Sequence, residues 1–154
     1  MKKIDRSVKM KSLSELKMKY LEMFSEDALN QEELNTIEKR LGVTLPDDFK
    51  EISKYFSGGS VGIIEFYDFK DNNEINIIDE TLRLRESIQL SEQYIVLAEP
   101  PESIVVMDIK NVPAIIWCDS IDIENIESNN YSSQPDTWES FCDFFYNMLL
   151  EEVE

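Results

Sequence analysis

The sequence predicts a single α+β domain built on a mainly antiparallel sheet of about five to six strands, with helices packed on one face. Apolar residues recur at helical spacing near both ends of the chain, whereas the middle is rich in β-branched and aromatic residues. The segments between the last three predicted strands are about five residues long, which is too short for parallel crossovers. A length of 154 residues also fits one domain.

The first helix is predicted to begin at Ser12, because Glu15 follows at the spacing of a capping box. Helical spacing then predicts one apolar stripe, formed by Leu13, Leu16, Tyr20, Leu21 and Phe24. This stripe should face the core of the domain.

Two more helices are predicted before the strands. One begins near Asn30 and ends at Gly42, a residue type that commonly terminates helices. Pro46 opens the other, because a proline in the first turn of a helix loses no hydrogen bond. Gly58 and Gly59 are predicted to end that helix. The buried positions of these two helices are predicted to be Leu34, Ile37, Leu41, Phe49, Ile52 and Phe56.

The strands are predicted from runs of β-branched and aromatic residues. Residues 61–69 are predicted to form one strand, followed by a turn at residues 71–73. Residues 80–90 are compatible with a strand or a short helix, and a helix capped by Asp79 is favoured. Further strands are predicted at residues 94–98, 104–108 and 114–118, separated by proline-containing turns. These three strands should form an antiparallel meander.

The C-terminal part is predicted to be a loop and a helix. Residues 128–135 are polar and lack aliphatic side chains, which is typical of a surface loop. Asp136 and Glu139 are predicted to cap the last helix. Its buried stripe is predicted to be Trp138, Phe141, Phe145, Met148 and Leu149.

The charge of the chain is strongly negative and unevenly distributed. The 32 acidic and 15 basic side chains give a formal net charge of -17. Residues 1–20 hold seven basic and two acidic side chains and carry +5, so the other 134 residues carry -22. We therefore expect a basic N-terminal segment at residues 1–11, followed by an acidic domain at residues 12–154. Such a domain should repel nucleic acid and attract basic proteins, although high charge also serves solubility alone.

Several classes of chemistry are excluded or disfavoured by composition. The chain has no histidine, so a histidine-dependent nucleophile, general base or metal ligand is impossible. Cys118 and Cys142 are the only cysteines and do not form a CxxC pair, which suits a reducing compartment. Neither the acidic segments nor the glycine pair has the spacing of a calcium loop or a phosphate loop. We expect no catalytic residue, no metal and no cofactor, and hence no enzymatic activity.

Targeting signals are also missing from the sequence pattern. The N-terminal segment is basic but lacks the apolar core of a signal peptide. Apolar runs such as residues 94–98 are far shorter than the ~20 residues of a transmembrane helix. We therefore expect a cytoplasmic protein that does not contact membranes.

One stretch of the sequence resembles the motif that opens the SUKH superfamily. In that motif an acidic helix ends in Leu-Gly and is followed by Leu-Pro, two polar residues, an aromatic residue and a helix that runs to Gly-Gly. The matching residues, which the resemblance implies are structural, are Leu41, Gly42, Leu45, Pro46, Phe49, Gly58 and Gly59. Residues 107–108 and 112–117 resemble a later strand and its Pro-to-Trp continuation, and residues 141–149 resemble the closing helix. The resemblance spans about residues 30–150.

The resemblance implies a fold and two functions. The superfamily has an α+β fold, and its bacterial members are mostly immunity proteins that neutralise toxins, many of them nucleases. It is also named for a fungal regulator of cell-wall glucan synthesis, which implies a scaffold as the alternative function, with residues 1–20 as a separate docking element. A carboxylate-based hydrolase is a third hypothesis, although no pair of acids is singled out.

An immunity function implies a surface that contacts a basic protein toxin. Carboxylates and aromatics on predicted strands and loops are the candidates for this surface: Glu65, Tyr67, Asp68, Asp71, Asp108, Trp117, Asp119 and Asp122. Each has a purely structural alternative. Trp117 can belong to the core, Asp108 can cap a turn, and the acids around residue 68 can keep a sheet edge from pairing with neighbours.

Overall fold

The computed structural model describes residues 12–72 and 74–152, in which helices surround two antiparallel sheets. The basic segment predicted at residues 1–11 lies outside the described residues. The elements, in chain order, are α1 Leu13–Met23, α2 Gln31–Leu41, α3 Asp47–Ile52, β1 Gly59–Val61, β2 Ile64–Phe66, α4 Ile77–Ser87, β3 Tyr94–Ala98, β4 Ser103–Asp108, β5 Ile115–Asp119, a 3₁₀ helix Ser120–Asn125, β6 Asp136–Trp138 and α5 Phe141–Glu152. The predicted α+β class is confirmed.

The first two helices begin where their capping residues predict. The Ser12 hydroxyl accepts a hydrogen bond from the Glu15 amide, and Asn30 forms a reciprocal capping box with Glu33. Gly42 ends α2 in the left-handed conformation. The apolar stripe predicted for α1 is too wide, because Leu13 and Leu21 are exposed and the helix buries only Leu16 and Tyr20.

The third helix is shorter than predicted. It ends at Ile52, and the glycine pair that was expected to stop it lies six residues further on. The Ser53 and Tyr55 carbonyls accept hydrogen bonds from Leu29 and Asp27, so they are not available to continue the helix. Phe56 is nevertheless buried, as predicted.

The strand predicted at residues 61–69 is wrong as a single strand. The chain turns at Gly62, which has a φ of 61°, and β1 pairs with β2 as a hairpin in which Ser60 lies opposite Glu65. Residues 67–69 leave the hairpin. The Tyr67 amide donates to the Leu97 carbonyl and so attaches this segment to the edge of β3.

Gly58 allows the backbone to pack closely against this returning segment. It has a φ of 116°, and a Cβ there would lie 2.7 Å from the Tyr67 carbonyl oxygen and 2.8 Å from the Asp68 Cα. The neighbouring Gly59 has a φ of 107°, but a Cβ there would meet nothing within 4 Å. A comparison of substitutions at these two glycines therefore distinguishes the cost of backbone strain from the cost of a steric clash.

Gly58→Ala is expected to destabilise the fold more than Gly59→Ala. Both variants place a side chain at positive φ, which costs about 1–3 kcal/mol. Only Gly58→Ala adds a backbone clash, which should cost about 1–3 kcal/mol more. Urea denaturation of both variants measures this difference, and equal free energies of unfolding would contradict the close approach.

The larger sheet has the order β3-β4-β5-β6 and is antiparallel throughout. The predicted meander of β3, β4 and β5 is confirmed. Side chains alternate between two buried faces. One face, with Ile95, Val105 and Trp117, packs into the main core beneath α1, α2, α3 and α5. The other face, with Tyr94, Val106 and Ile116, joins a smaller core with Ile123 and Ile126.

The helix favoured for residues 80–90 is confirmed, but its bounds and cap differ. α4 begins at Ile77 and is capped by Asn76, whose side chain accepts from the Asp79 amide, so the predicted cap at Asp79 is wrong. α4 lies along the edge of the larger sheet, where the Thr81 hydroxyl accepts a hydrogen bond of 2.9 Å from the Val96 amide. Together with the bond from Tyr67 to Leu97, this contact covers the edge of β3 that does not pair with β4.

The predicted cap of the last helix is also wrong. Asp136–Trp138 forms the edge strand β6, with Thr137 opposite Ile116. The Trp138 indole donates to Asn147 on α5, and both side chains are buried. α5 then begins at Phe141, and the Ser140 hydroxyl accepts from the Asp143 amide. In the described part of the chain, no helix is long and apolar enough to span a membrane.

Candidate partner-binding site

An open acidic cleft of about 640 Å³ lies between the β1–β2 hairpin, residues 67–68 and 74–75, and the β3–β4 turn. We call it the acidic cleft. Its carboxylates are Asp27, Glu65, Asp68, Glu74 and Glu99. Among the described residues, no lysine or arginine lines it. Its electrostatic field should therefore favour positively charged groups.

Backbone hydrogen bonds bring these distant segments together. The Tyr67 amide donates to Leu97 at 2.9 Å, which places the end of the hairpin beside the turn that carries Glu99. The Phe69 amide donates to the Ser57 carbonyl at 2.9 Å and holds the same segment against the chain that follows α3. The walls of the acidic cleft are thus fixed by main-chain contacts.

Three of the cleft carboxylates are engaged by neighbours. Glu99 lies 2.7 Å from Arg83, and Asp27 lies 3.1 Å from Lys70. Asp68 accepts from the Lys70 amide and from the Asn72 side chain. These bonds hold the carboxylates in place while leaving the acidic cleft negative.

Two carboxylates of the acidic cleft form no ion pair. Within residues 12–72 and 74–152, neither Glu65 nor Glu74 has a lysine or arginine in salt-bridge range, and both residues are exposed. Burial raises the pKa of Tyr67, and the nearby Glu99 carboxylate adds to that effect. The phenol is therefore protonated at neutral pH and can donate a hydrogen bond.

Apolar side chains flank the carboxylates. Ile75 is 64% exposed and Ile63 is 37% exposed, and both line the acidic cleft with Pro100 and Pro101. Exposed aliphatic groups next to acids are suited to a protein partner that presents cations beside apolar residues. Among the described residues, the cleft lining contains no cysteine or histidine.

The acidic cleft brings together three of the candidates predicted from sequence. Glu65, Tyr67 and Asp68 line it. Asp71 lies outside its lining and forms an ion pair of 2.9 Å with Arg40. Asp119 is exposed at the end of β5 and is also outside the lining.

The remaining candidates are buried and bonded within the chain. Trp117 belongs to the main core, and its indole donates to the Ser103 hydroxyl at 2.9 Å. Asp108 accepts from the Lys110 and Asn111 amides, which is the turn-capping arrangement that was its structural alternative. Trp117 and Asp108 therefore act first as structural residues.

Asp122, the last of the candidates predicted from sequence, is a buried carboxylate rather than a surface one. It is 2% exposed, and its two carboxylate oxygens accept from the amide and the hydroxyl of Ser132. The hydrogen bond from the Ser132 amide lowers the pKa of Asp122. Through these two hydrogen bonds, Asp122 holds the loop that follows the 3₁₀ helix in place.

Sequence reasoning missed several residues of the acidic cleft. Asp27, Glu74, Glu99, Ile63 and Ile75 were not singled out, although all five line it. Glu99 precedes two prolines at the end of a predicted strand, so its place in a turn was visible. No local sequence pattern indicates the hydrogen bond between Tyr67 and Leu97. Without that bond, the sequence does not reveal that these residues lie close together.

The comparison with protein families agrees with the motif. The family SUKH_5, described as SMI1-KNR4 cell-wall, matches residues 10–150. The chain belongs to this SUKH family. Its motif residues have structural places: Gly42 ends α2, Leu45 and Phe49 are buried, and Gly58 lines the acidic cleft. No curated protein matches the SUKH chain.

The SUKH chain also shows no metal centre in its described part. No group of three or more cysteine, aspartate or glutamate side chains there could hold a metal ion. Both cysteines are free, with Cys118 buried and Cys142 half-buried. Burial raises the pKa of both thiols, to about 11 for Cys118, so neither is an activated nucleophile at neutral pH.

Proposed function

We propose that the chain is an immunity protein that binds a cognate basic toxin and neutralises it by surface complementarity. Both an immunity function and a role like that of SMI1-KNR4 proteins are consistent with its family. The acidic cleft is the contact surface in this proposal, and the protein acts in the cytoplasm without catalysing a reaction.

The observation that carries the proposal is the composition of the acidic cleft. Five carboxylates and no basic side chain line it among the described residues, and exposed isoleucines stand beside them. A carboxylate that meets a lysine or arginine across an interface speeds encounter and disfavours partners of the wrong charge. Glu65 and Glu74 have no ion pair in the described chain to give up when a partner binds.

A nuclease is the toxin class that fits this surface best. A nuclease must bind phosphate and so presents lysine and arginine at its cleft. Carboxylates of the acidic cleft would then occupy the places of phosphate groups and block the substrate. The toxin would be inhibited through occupation of its cleft, which needs no chemistry from the inhibitor.

Co-expression tests the proposal. The chain is expressed with a toxin-like protein encoded beside its gene, and growth and complex formation are measured. We expect growth to be rescued and the two proteins to elute together. Growth arrest in the presence of folded, soluble chain would overturn the proposal for that toxin.

A regulatory scaffold is the second candidate, and the cell-wall description of the matching family favours it. A scaffold would bind several envelope or signalling proteins. Substituting the lysines of residues 1–11 with glutamine discriminates between the two functions. We expect toxin rescue to persist in this variant, whereas a scaffold that docks through these residues would lose its partners.

A further inference from the structure

A second pocket of about 610 Å³ lies on the face of the larger sheet that packs into the smaller core. It is distinct from the acidic cleft. We call it the tyrosine pocket. Tyr94 and Ile116 of the sheet form its floor, and Tyr131 and Ile126 lie on the wall that follows the 3₁₀ helix. The two pockets share no lining residue.

The hydroxyl of Tyr94 has no hydrogen-bond partner within the described chain. The residue is only 3% exposed, yet it lines the tyrosine pocket. Burial raises the pKa of Tyr94 to about 12, and Asp108, Glu127 and Tyr131 add to the effect. All three of these neighbours also line the pocket, so the phenol lies among acceptor groups that converge on one space.

The Asp108 carboxylate is held in a fixed position in this pocket. Its Oδ1 accepts from the Lys110 and Asn111 amides, while Gln93 bridges both oxygens at 3.2 Å. Oδ2 therefore has acceptor capacity left. A rigid, buried carboxylate with a free lone pair is a strong site for a charged donor.

The wall of the tyrosine pocket is held by Asp122. Its two hydrogen bonds to Ser132 close the loop that carries Glu127 and Tyr131. The Tyr131 hydroxyl donates to the Ile126 carbonyl at 3.4 Å. These hydrogen bonds therefore hold the loop that forms one wall of the pocket.

We propose that the tyrosine pocket binds an arginine side chain presented by a partner protein. The carboxylates of Asp108 and Glu127 and the phenol oxygens of Tyr94 and Tyr131 line it as hydrogen-bond acceptors for a ligand, and no lysine or arginine lines the pocket in the described chain. A guanidinium group has five donors in a planar fork and stacks on aromatic rings, which matches acceptors spread around tyrosines. The apolar floor and walls accommodate the aliphatic stem of the side chain.

Titration of the full chain with a blocked arginine tests this site without any toxin. The probe is N-acetyl-arginine N-methylamide, added at constant ionic strength while amide chemical shifts are recorded by NMR. We expect saturable shifts at Asn111 and Ile126, with a dissociation constant on the order of 1 mM. The same compound built on uncharged citrulline should bind at least tenfold more weakly.

Variants locate the interaction at the Tyr94 hydroxyl. Tyr94→Phe keeps the ring and removes a hydroxyl that has no partner, so it should fold normally and bind the probe about tenfold more weakly. Tyr146→Phe, on α5 and outside the pocket lining, should bind the probe like the parent chain.

Three results would overturn the arginine site: no saturable shift at the pocket residues, equal binding of the citrulline compound, or equal binding of N-acetyl-lysine N-methylamide, which has a charge but no planar guanidinium fork. Because the titration contains no toxin, its outcome is separate from that of the growth rescue. Arginine binding without rescue would leave this site standing and remove the immunity function.

Discussion

Glu65→Gln combined with Glu74→Gln is expected to weaken toxin binding about 10- to 100-fold, because truncating buried interfacial charge pairs costs this much or more. Both carboxylates line the acidic cleft and have no ion pair in the described chain. The substitutions keep side-chain shape and remove charge alone. Calorimetric titration of purified toxin measures the loss.

A matched double variant separates local contact from overall charge. Glu22→Gln combined with Glu124→Gln removes the same two charges from exposed positions outside the acidic cleft. Exposed charges that do not contact the partner are weakened by physiological salt, so binding should fall less than about threefold. Equal losses in both variants would show that net charge, rather than the cleft, governs binding.

Phe145→Ala is expected to lower the free energy of unfolding by about 3–5 kcal/mol. Phe145 is fully buried on α5. Its ring centre lies 4.8 Å from that of Phe56 and 5.8 Å from that of Tyr20, so it joins α5 to α1 and to the chain after α3. Removing the ring leaves a cavity among aromatic side chains that cannot collapse freely. Urea denaturation measures the change.

Met18→Ala is the control for this loss. Met18 lies on α1 but is 66% exposed, so its side chain contributes little to the core. Its substitution should change the free energy of unfolding by less than about 0.5 kcal/mol. A loss at Phe145 no larger than this would contradict the packing of the aromatic core.

The elements with local signals were predictable from the sequence. Asn30 and Gly42 mark the ends of α2 through bonds made within a few residues, so their roles follow from local chemistry. Strands β3 to β5 were predictable because their β-branched runs are separated by connections that permit only antiparallel pairing.

The errors arose where a distant segment decides the local structure. β6 carries residues typical of a helix cap, but Thr137 pairs with Ile116 across the sheet instead. The hairpin at Gly62 depends on a positive φ that a β-rich sequence does not reveal. Asp122 is acidic in a polar segment, yet Ser132 satisfies its carboxylate and allows it to be buried.

The candidate site was predictable only in part, for the same reason. Glu65, Tyr67 and Asp68 lie close together in the sequence and were found by residue type. Asp27 and Glu99 reach the acidic cleft through main-chain bonds between residues far apart in the chain. The tyrosine pocket likewise depends on a loop closed by Asp122 and Ser132.

The location of the contact surface is tested most directly by hydrogen exchange of the chain alone and in complex with its toxin. We expect slower amide exchange at Gly59, Glu65, Tyr67, Asp68 and Glu99, which line the acidic cleft. Exchange in α2 should not change. Protection confined to α1 and α2, with the acidic cleft exchanging as in the free chain, would contradict this prediction.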